Sequence, residues 1–391
     1  MNCQHHPALN WDIFCHVIDN WGDLGVCWRL ASNLAARGQR VRLWTDQPEP
    51  LDWMAPGARC GAFAAATATA TATAATATAT AAADAGALAG IEVRHWPRSD
   101  PAAPPPALPA SDVLVAAFGC ELDPAWVAAL QPESVPGAPT RLWLNLEYLS
   151  AEAYVERCHR LASPVMSGPL AGRTQWFFYP GFTPATGGLL REPGLMAQRT
   201  AFERGAWLHE QGLPAEGDAP RVTLFCYEPA RLPELLRDPA LDAAHWLVAP
   251  GRPAAALELA WPAAAGLQAQ RHALPHVAQP EFDRLLWASD LNLVRGEDSL
   301  VRALWAGQAL VWHIYPQHDD AHHLKLEAFL DWLEAPPSLR AFHRVWNGVI
   351  DAPLPPVDLA AWQACVLAAR ERLLLQDDLV SQLLGFVAEK R

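Results

Sequence analysis

Two short blocks set carboxylates beside glycine in a pattern that could hold and activate a substrate. The first is Asp19-Asn-Trp-Gly-Asp-Leu-Gly25. Asp19 and Asp23 stand four residues apart, and the glycines let backbone approach a ligand closely. Two readings are open: an aspartate caps the helix that follows, or the pair supplies a general base and an orienting anion. The second block is Leu293-Val-Arg-Gly-Glu-Asp-Ser-Leu-Val-Arg302. An apolar run enters Gly296, and Asp298 or Ser299 then falls where a helix N-cap belongs. Either this is ordinary capping after a buried strand, or the helix start forms an anion site. In the second case Arg295 adds a charge-assisted hydrogen bond to a diphosphate, and the acidic side chains serve sugar hydroxyls or capping.

Three further residues, Phe225, Tyr227 and Gln279, offer rings and an amide able to stack on and read a nucleobase, and would serve equally as core or loop. His313, His318, His322 and His323 with Asp319 and Asp320 match no closed ligand set for zinc. They read as a polar loop after a strand, and no metal site is expected.

These blocks need elements to position them. The pattern predicts a strand at 11–18, a turn through the first block, a helix at 26–37 ended by Gly38, and a strand at 41–45. Such a β–loop–α–β unit calls for a parallel sheet. Strand-like runs at 91–96, 112–118 and 141–146 extend it into a Rossmann-like domain. A second series places strands within 221–228, 245–249, 290–294 and 309–315, helices at 281–288 and 300–306, and terminal helices over 359–389. The first block lies just past the C-terminal end of a strand, where open α/β sheets hold their ligands. The expected architecture is two Rossmann-like domains, 1–180 and 181–360, with a ligand in the cleft between them and terminal helices 361–391 returning toward the first.

Composition narrows the partners. The 391 residues carry 29 Lys plus Arg and 42 Asp plus Glu, so the net charge is 29 − 42 = −13. The positive charges are scattered arginines with two lysines, Lys325 and Lys390, which argues against a nucleic-acid binder. An acidic surface favours a basic protein or peptide partner. Hydrophobic residues make up 51% and charged residues 18%, below the roughly 25% usual in globular domains, which excludes disorder by self-repulsion over most of the chain. Eight cysteines without a CxxC pair read as free thiols in a reducing compartment. Residues 64–83, made of Ala and Thr alone, have the length of a membrane span without its chemistry, and read as part of a low-complexity insertion over 62–90. The start of the chain has no basic segment leading into an apolar one, so no signal peptide is expected and the location is cytoplasmic, with no membrane partner.

Longer blocks carry a resemblance. Asp12-Ile-Phe-Cys-His-Val-Ile-Asp-Asn-Trp-Gly-Asp-Leu-Gly-Val-Cys-Trp-Arg-Leu30, Phe178-Tyr-Pro-Gly-Phe-Thr183, Gly187-Gly-Leu-Leu-Arg-Glu192, the 294–302 block and His313-Ile-Tyr-Pro-Gln317 closely resemble the EarP family of bacterial protein-arginine rhamnosyltransferases. The resemblance implies a GT-B glycosyltransferase that moves L-rhamnose from dTDP-β-L-rhamnose to an arginine of elongation factor P, with inversion and without metal or cofactor. On it, Asp23 matches the general base and Asp19 the carboxylate needed beside it. Phe225 and Tyr227 fall on an aromatic pair at the nucleotide, and Gln279 on the glutamine that reads thymine. Arg295, Gly296, Glu297, Asp298 and Ser299 fall at the ribose and diphosphate, and Asn20, Trp21 and Gly22 are assigned to the nucleotide sugar. The sequence departs from the family at His276-Val-Ala-Gln279, where relatives have an aromatic followed by Val-Pro-Gln, and at the Ala/Thr run.

The chemistry is coherent with those roles. A guanidinium, with a pKa above about 12, is a poor nucleophile while charged, so an enzyme must hold it and help remove a proton. Asp19 would orient it, Asp23 would accept the proton, and Arg295 with the helix-start amides would take up leaving-group charge. The alternatives are a non-catalytic nucleotide-sugar-binding protein, a metal-free GT-B enzyme with another acceptor, and a Rossmann oxidoreductase. The last lacks the GxGxxG turn.

Overall fold

The computed structural model describes residues 8–18, 21–58, 90–96, 108–132, 139–316 and 321–391. Asp19, Asn20, the Ala/Thr run, His318, Asp319 and Asp320 lie outside the described residues. The chain divides into two compact units: Met1–Leu149, Tyr154–Pro193 and Asp377–Arg391 form the first, Ser150–Ala153 and Gly194–Gln376 the second. The expected boundary at 180 therefore moves to 193, and the segment 361–391 is shared. Local contacts explain both shifts. Gly187 packs directly on the Phe178 ring, where a Cβ would come within 2.5 Å of Cε1, and its N–H donates to the Tyr179 carbonyl at 2.7 Å. The helix Leu379–Lys390 inserts Phe386 beside Trp176 and Phe178, at 5.4 and 5.9 Å between ring centres. Arg37 then ties its start, donating to Asp378 Oδ1 at 2.7 Å and to the Ser381 hydroxyl at 2.6 Å.

Among the described residues the first unit holds a seven-stranded sheet. Its strands are β1 (Asn10–Cys15), β2 (Arg40–Thr45), β3 (Ile91–His95), β4 (Val113–Ala117), β5 (Leu142–Leu146), β6 (Leu161–Pro164) and β7 (Thr174–Phe178), in the order β3-β2-β1-β4-β5-β7-β6. All neighbours are parallel except β6, which runs antiparallel on β7 at the edge. The strands are apolar almost throughout because both faces are covered. Period-two alternation sends Ile13, Leu43, Val115 and Leu144 to one face, with Leu24, Leu30 and Leu34 of helix α1 (Gly22–Ala36) in the same core. Phe14, Trp44 and Leu114 go to the other, where Trp126 of the helix Pro124–Leu130 packs on them. Gly38, at φ 80°, ends α1 in the left-handed conformation expected of a helix terminator.

The second unit is built alike from β8 (Arg221–Leu224), β9 (His245–Val248), β10 (Gln270–Ala273), β11 (Leu291–Arg295) and β12 (Ala309–His313), all parallel, in the order β10-β9-β8-β11-β12. Leu293 pairs with Leu224 on one side and Val311 on the other. In both sheets the strand order reverses once, between β1 and β4 and between β8 and β11. Those reversals open a crevice at the carboxyl ends of the strands, the usual ligand position in such sheets. Among the described residues no helix is long and apolar enough to cross a membrane, and Cys15, Cys27, Cys120, Cys158, Cys226 and Cys365 are free thiols.

Candidate active site

In the first unit, the chain leaves the carboxyl end of β1 through His16, Val17 and Ile18. The next helix differs from the sequence expectation, because α1 already begins at Gly22 rather than near Val26. Trp21 occupies the cap position without a side-chain cap bond, and Asp23 lies in the first helical turn. Asp23 is therefore not the N-cap residue of α1. Its carboxylate instead stands by the amides that a helix start leaves outside its own ladder, where negative charge is favoured. Trp21 and Gly22 are exposed beside it, and nothing lies within 4 Å of where a Gly22 Cβ would be.

Asp46, after β2, holds the residues that leave β1: His16 Nδ1 meets Asp46 Oδ2 at 2.5 Å, and the Val17 N–H donates to Oδ1 at 3.0 Å. Buried Cys15 is no competitor for the base role. A hydrogen bond with Cys27 and burial, aided by the Asp23 and Asp46 charges, push its thiol well up.

One further residue at this edge is absent from the sequence reading. Tyr148, just past β5, donates its hydroxyl to Asp23 Oδ2 at 3.4 Å. Its ring stacks on Phe118, just past β4, at 5.0 Å and 27°. The available signal was position alone, since Asn145-Leu-Glu-Tyr148 leaves a strand at the same sheet edge as the first block.

In the second unit β8 ends at Leu224, so Phe225 and Tyr227 lie beyond the sheet edge rather than inside a strand. The Phe225 N–H still donates to the Leu293 carbonyl at 2.8 Å. Its ring packs on Phe282 at 5.1 Å, and Phe282 sits one turn along the helix Gln279–Ala288, which opens with buried Gln279. Tyr227 is buried against His313 and Tyr315, at 5.4 and 5.6 Å. The Arg295 guanidinium lies over both rings, 4.9 Å from the centre of Phe225 and 5.0 Å from that of Tyr227, and its Nη1 donates to the Cys226 carbonyl at 3.4 Å. Such cation–π contacts fix a planar cation in place without neutralising it. Arg252, paired with Glu228 at 2.7 Å, stands 5.5 Å from the Tyr227 ring.

Neither Asp298 nor Ser299 is the cap of the next helix, contrary to expectation. Gly296 is, at φ 68° and ψ −178°, and the helix runs Glu297–Ala306. That positive φ is open to glycine and strained for other residues, which explains the Arg-Gly-Glu sequence. Trp312 Nε1 donates to the Gly296 carbonyl at 2.9 Å. The Ser299 hydroxyl bonds back to the Arg295 carbonyl, four residues earlier, while Glu297 pairs with Lys325 at 2.5 Å. His313, at the end of β12, is pushed down to about 3 by burial, helped by Arg295 and Arg252, so its imidazole is neutral and adds no charge there. His276 is exposed, three residues before Gln279. Among the described residues there is no group of three or more His, Cys, Asp and Glu able to hold a metal ion.

The structure thus gathers Phe225, Tyr227, Arg295 and a helix start at the switch point of the second sheet, with Gln279 linked through Phe282, and it places Asp23 at that of the first. Two Rossmann-like units in one chain, with the candidate residues at their carboxyl edges, define a glycosyltransferase of the GT-B class. The chain belongs to the EarP family: the family described as "Elongation-Factor P (EF-P) rhamnosyltransferase EarP" matches residues 11–388. The protein-arginine rhamnosyltransferase of Pseudomonas putida is 43% identical over 360 residues, 86% of either chain. That of Neisseria meningitidis serogroup B is 34% identical over 342 residues, 83% of this chain and 78% of the relative. The solved structure described as "Structural basis for EarP-mediated arginine glycosylation of translation elongation factor EF-P" superposes with a TM-score of 0.60 at 28% identity, covering 98% of this chain and 100% of the other. An Arabidopsis thaliana protein complexed with UDP-L-rhamnose shares the fold, with a TM-score of 0.50 at 11% identity over 98% of this chain and 99% of the other.

Proposed function

We propose that this chain transfers L-rhamnose from dTDP-β-L-rhamnose to an arginine side chain of elongation factor P, with inversion at the anomeric carbon. The observation that carries the donor half is the Arg295 guanidinium held over Phe225 and Tyr227, immediately before a helix start. Arg295 and the first-turn amides of Asp298 and Ser299 bind the diphosphate, Glu297 and Asp298 serve the ribose, Gln279 reads thymine, and the two rings border the base. Trp21, Gly22 and Asn20 meet the sugar end of the donor.

The acceptor half rests on Asp23 and Asp19. A guanidinium nitrogen attacks C1 of rhamnose from the face opposite the diphosphate. The N–C1 bond forms as the C1–O bond breaks, dTDP leaves with the electron pair, and Asp23 takes the proton from the nitrogen while Asp19 orients the guanidinium. Leaving-group charge falls on Arg295 and the helix-start amides, so no metal or other cofactor is invoked. The net charge of −13 suits an acceptor that presents an arginine, and the reaction belongs in the cytoplasm with its acceptor. Incubation with dTDP-β-L-rhamnose and elongation factor P, followed by intact and fragment mass measurement, tests the reading. One added deoxyhexose on an arginine is expected; an unmodified acceptor in the presence of folded enzyme would overturn it.

A further inference from the structure

Phe118 is the one bulky side chain among the described residues in the left-handed region that is buried in a sheet crevice: its φ is 57°, and Gly119 follows at 70°. For an aromatic residue that conformation is strained and persists only where surrounding structure enforces it. Here the Phe118 N–H is held by the Leu146 carbonyl at 2.7 Å, across the ends of β4 and β5. The result is a ring laid flat under Tyr148, 5.0 Å away. Tyr148 is 38% exposed, and the Phe118 ring supports its inner face. Its hydroxyl reaches Asp23 Oδ2 at 3.4 Å. Such bonds are often long before substrate arrives and shorten in the reacting complex. The adjoining acid is engaged elsewhere, since Asn145 Nδ2 donates to Glu147 Oε1 at 2.5 Å, and Asp46 is held by His16.

We propose that Tyr148, laid in place by the strained Phe118, is a positioning residue for Asp23, its hydroxyl fixing the rotation of the carboxylate that takes the acceptor's proton. This rests on Asp23 being the base. The phenol donates to the ionised carboxylate and so also restrains its basicity.

The test is the full-length Tyr148→Phe variant, which loses only the hydroxyl and keeps the stack on Phe118. Transfer to elongation factor P is followed from about pH 3.5 to pH 8, a range that contains the ordinary aspartate value near 3.9, with binding of dTDP-β-L-rhamnose measured separately. Loss of a hydrogen bond to a charged group is expected to lower kcat roughly tenfold or more. Because the lost bond favoured the ionised form, the acid limb of the kcat/KM profile moves to higher pH, while donor affinity is unchanged. A wild-type limb overturns the inference, whether kcat holds or falls together with thermal stability. Asp23→Asn in the same assay separates the layers: substantial transfer by that variant defeats the base assignment itself, whereas an inactive Asp23→Asn beside a wild-type Tyr148→Phe profile defeats only the positioning role.

Discussion

Arg302 and Asp283 form a buried two-pronged ion pair between neighbouring helices, Nε to Oδ1 at 2.8 Å and Nη2 to Oδ2 at 2.5 Å. Asp283 lies one turn after Gln279, and Arg302 one turn after the Glu297–Ser299 stretch. The pair therefore sets the spacing between the two helix starts that the proposed donor site uses. Breaking it strands a buried charge, at a cost of about 3–5 kcal/mol. Asp283→Ala should lower the thermal midpoint by roughly 10 °C and weaken dTDP binding. An apolar double replacement, Asp283→Leu with Arg302→Met, should recover most of the midpoint without recovering affinity. Calorimetry of unfolding and of nucleotide binding reads both, and restored affinity in the double variant would show that the pair serves stability alone.

Arg295 acts through shape as well as charge. Lysine at this position keeps the positive charge but loses the planar group that spans Phe225 and Tyr227, and the fork that matches a diphosphate. Arg295→Lys is expected to weaken binding of dTDP-β-L-rhamnose by about tenfold or more, and Arg295→Met further. Titration calorimetry at two salt concentrations checks this. Equal affinity for the lysine variant and the parent would mean that charge alone is used.

Asp23 is half-buried and is not the N-cap residue of α1, and Asn keeps its size, so removing its charge should spare the fold. Asp23→Asn is expected to keep the thermal midpoint and the donor affinity within about twofold while kcat falls by at least about 100-fold. Single-turnover mass measurement on elongation factor P gives the rate. A kcat within tenfold of the parent rules out Asp23 as base.

The parts of this molecule legible in the sequence are those dictated by local pattern. The apolar run of β1, the helical spacing of α1 and its end at Gly38 depend on neighbours a few residues away, and the Arg295-Gly296-Glu297 junction marks a strand end. The starts of α1 and of the 297–306 helix are not legible in the sequence, because Trp21 and Gly296 cap without the side-chain bonds that signal a cap. Strands β6, β7 and β10 carry no such local pattern: β6 and β10 are largely exposed edge strands, Gln270-Arg-His-Ala273 has no apolar alternation, and β7 is only half-buried along most of its length. The Asp283–Arg302 pair and the contact of Tyr148 with Asp23 join residues that only the folded chain brings together, 19 and 125 positions apart.

His343 is fully buried on the helix Pro337–Trp346. Its Nδ1–H donates to the Leu339 carbonyl at 3.0 Å and its Nε2 accepts the Trp312 N–H at 3.0 Å, so both nitrogens are committed to the neutral form. Burial pushes its pKa down to about 4. The unfolded chain, with an ordinary histidine near 6.5, then binds more protons than the folded one, so stability rises with pH and is lost on acidification. The contribution is complete above about pH 6.5 and is lost as pH drops toward about 4, amounting to about 2 kcal/mol at pH 5. His343→Gln should lose the Trp312 contact in part and so be less stable at pH 8, yet decline less on acidification. Urea midpoints for both proteins at pH 8, 6.5 and 5 should therefore converge as pH falls. A constant gap between them would show that protonation of His343 is not what destabilises this unit in acid.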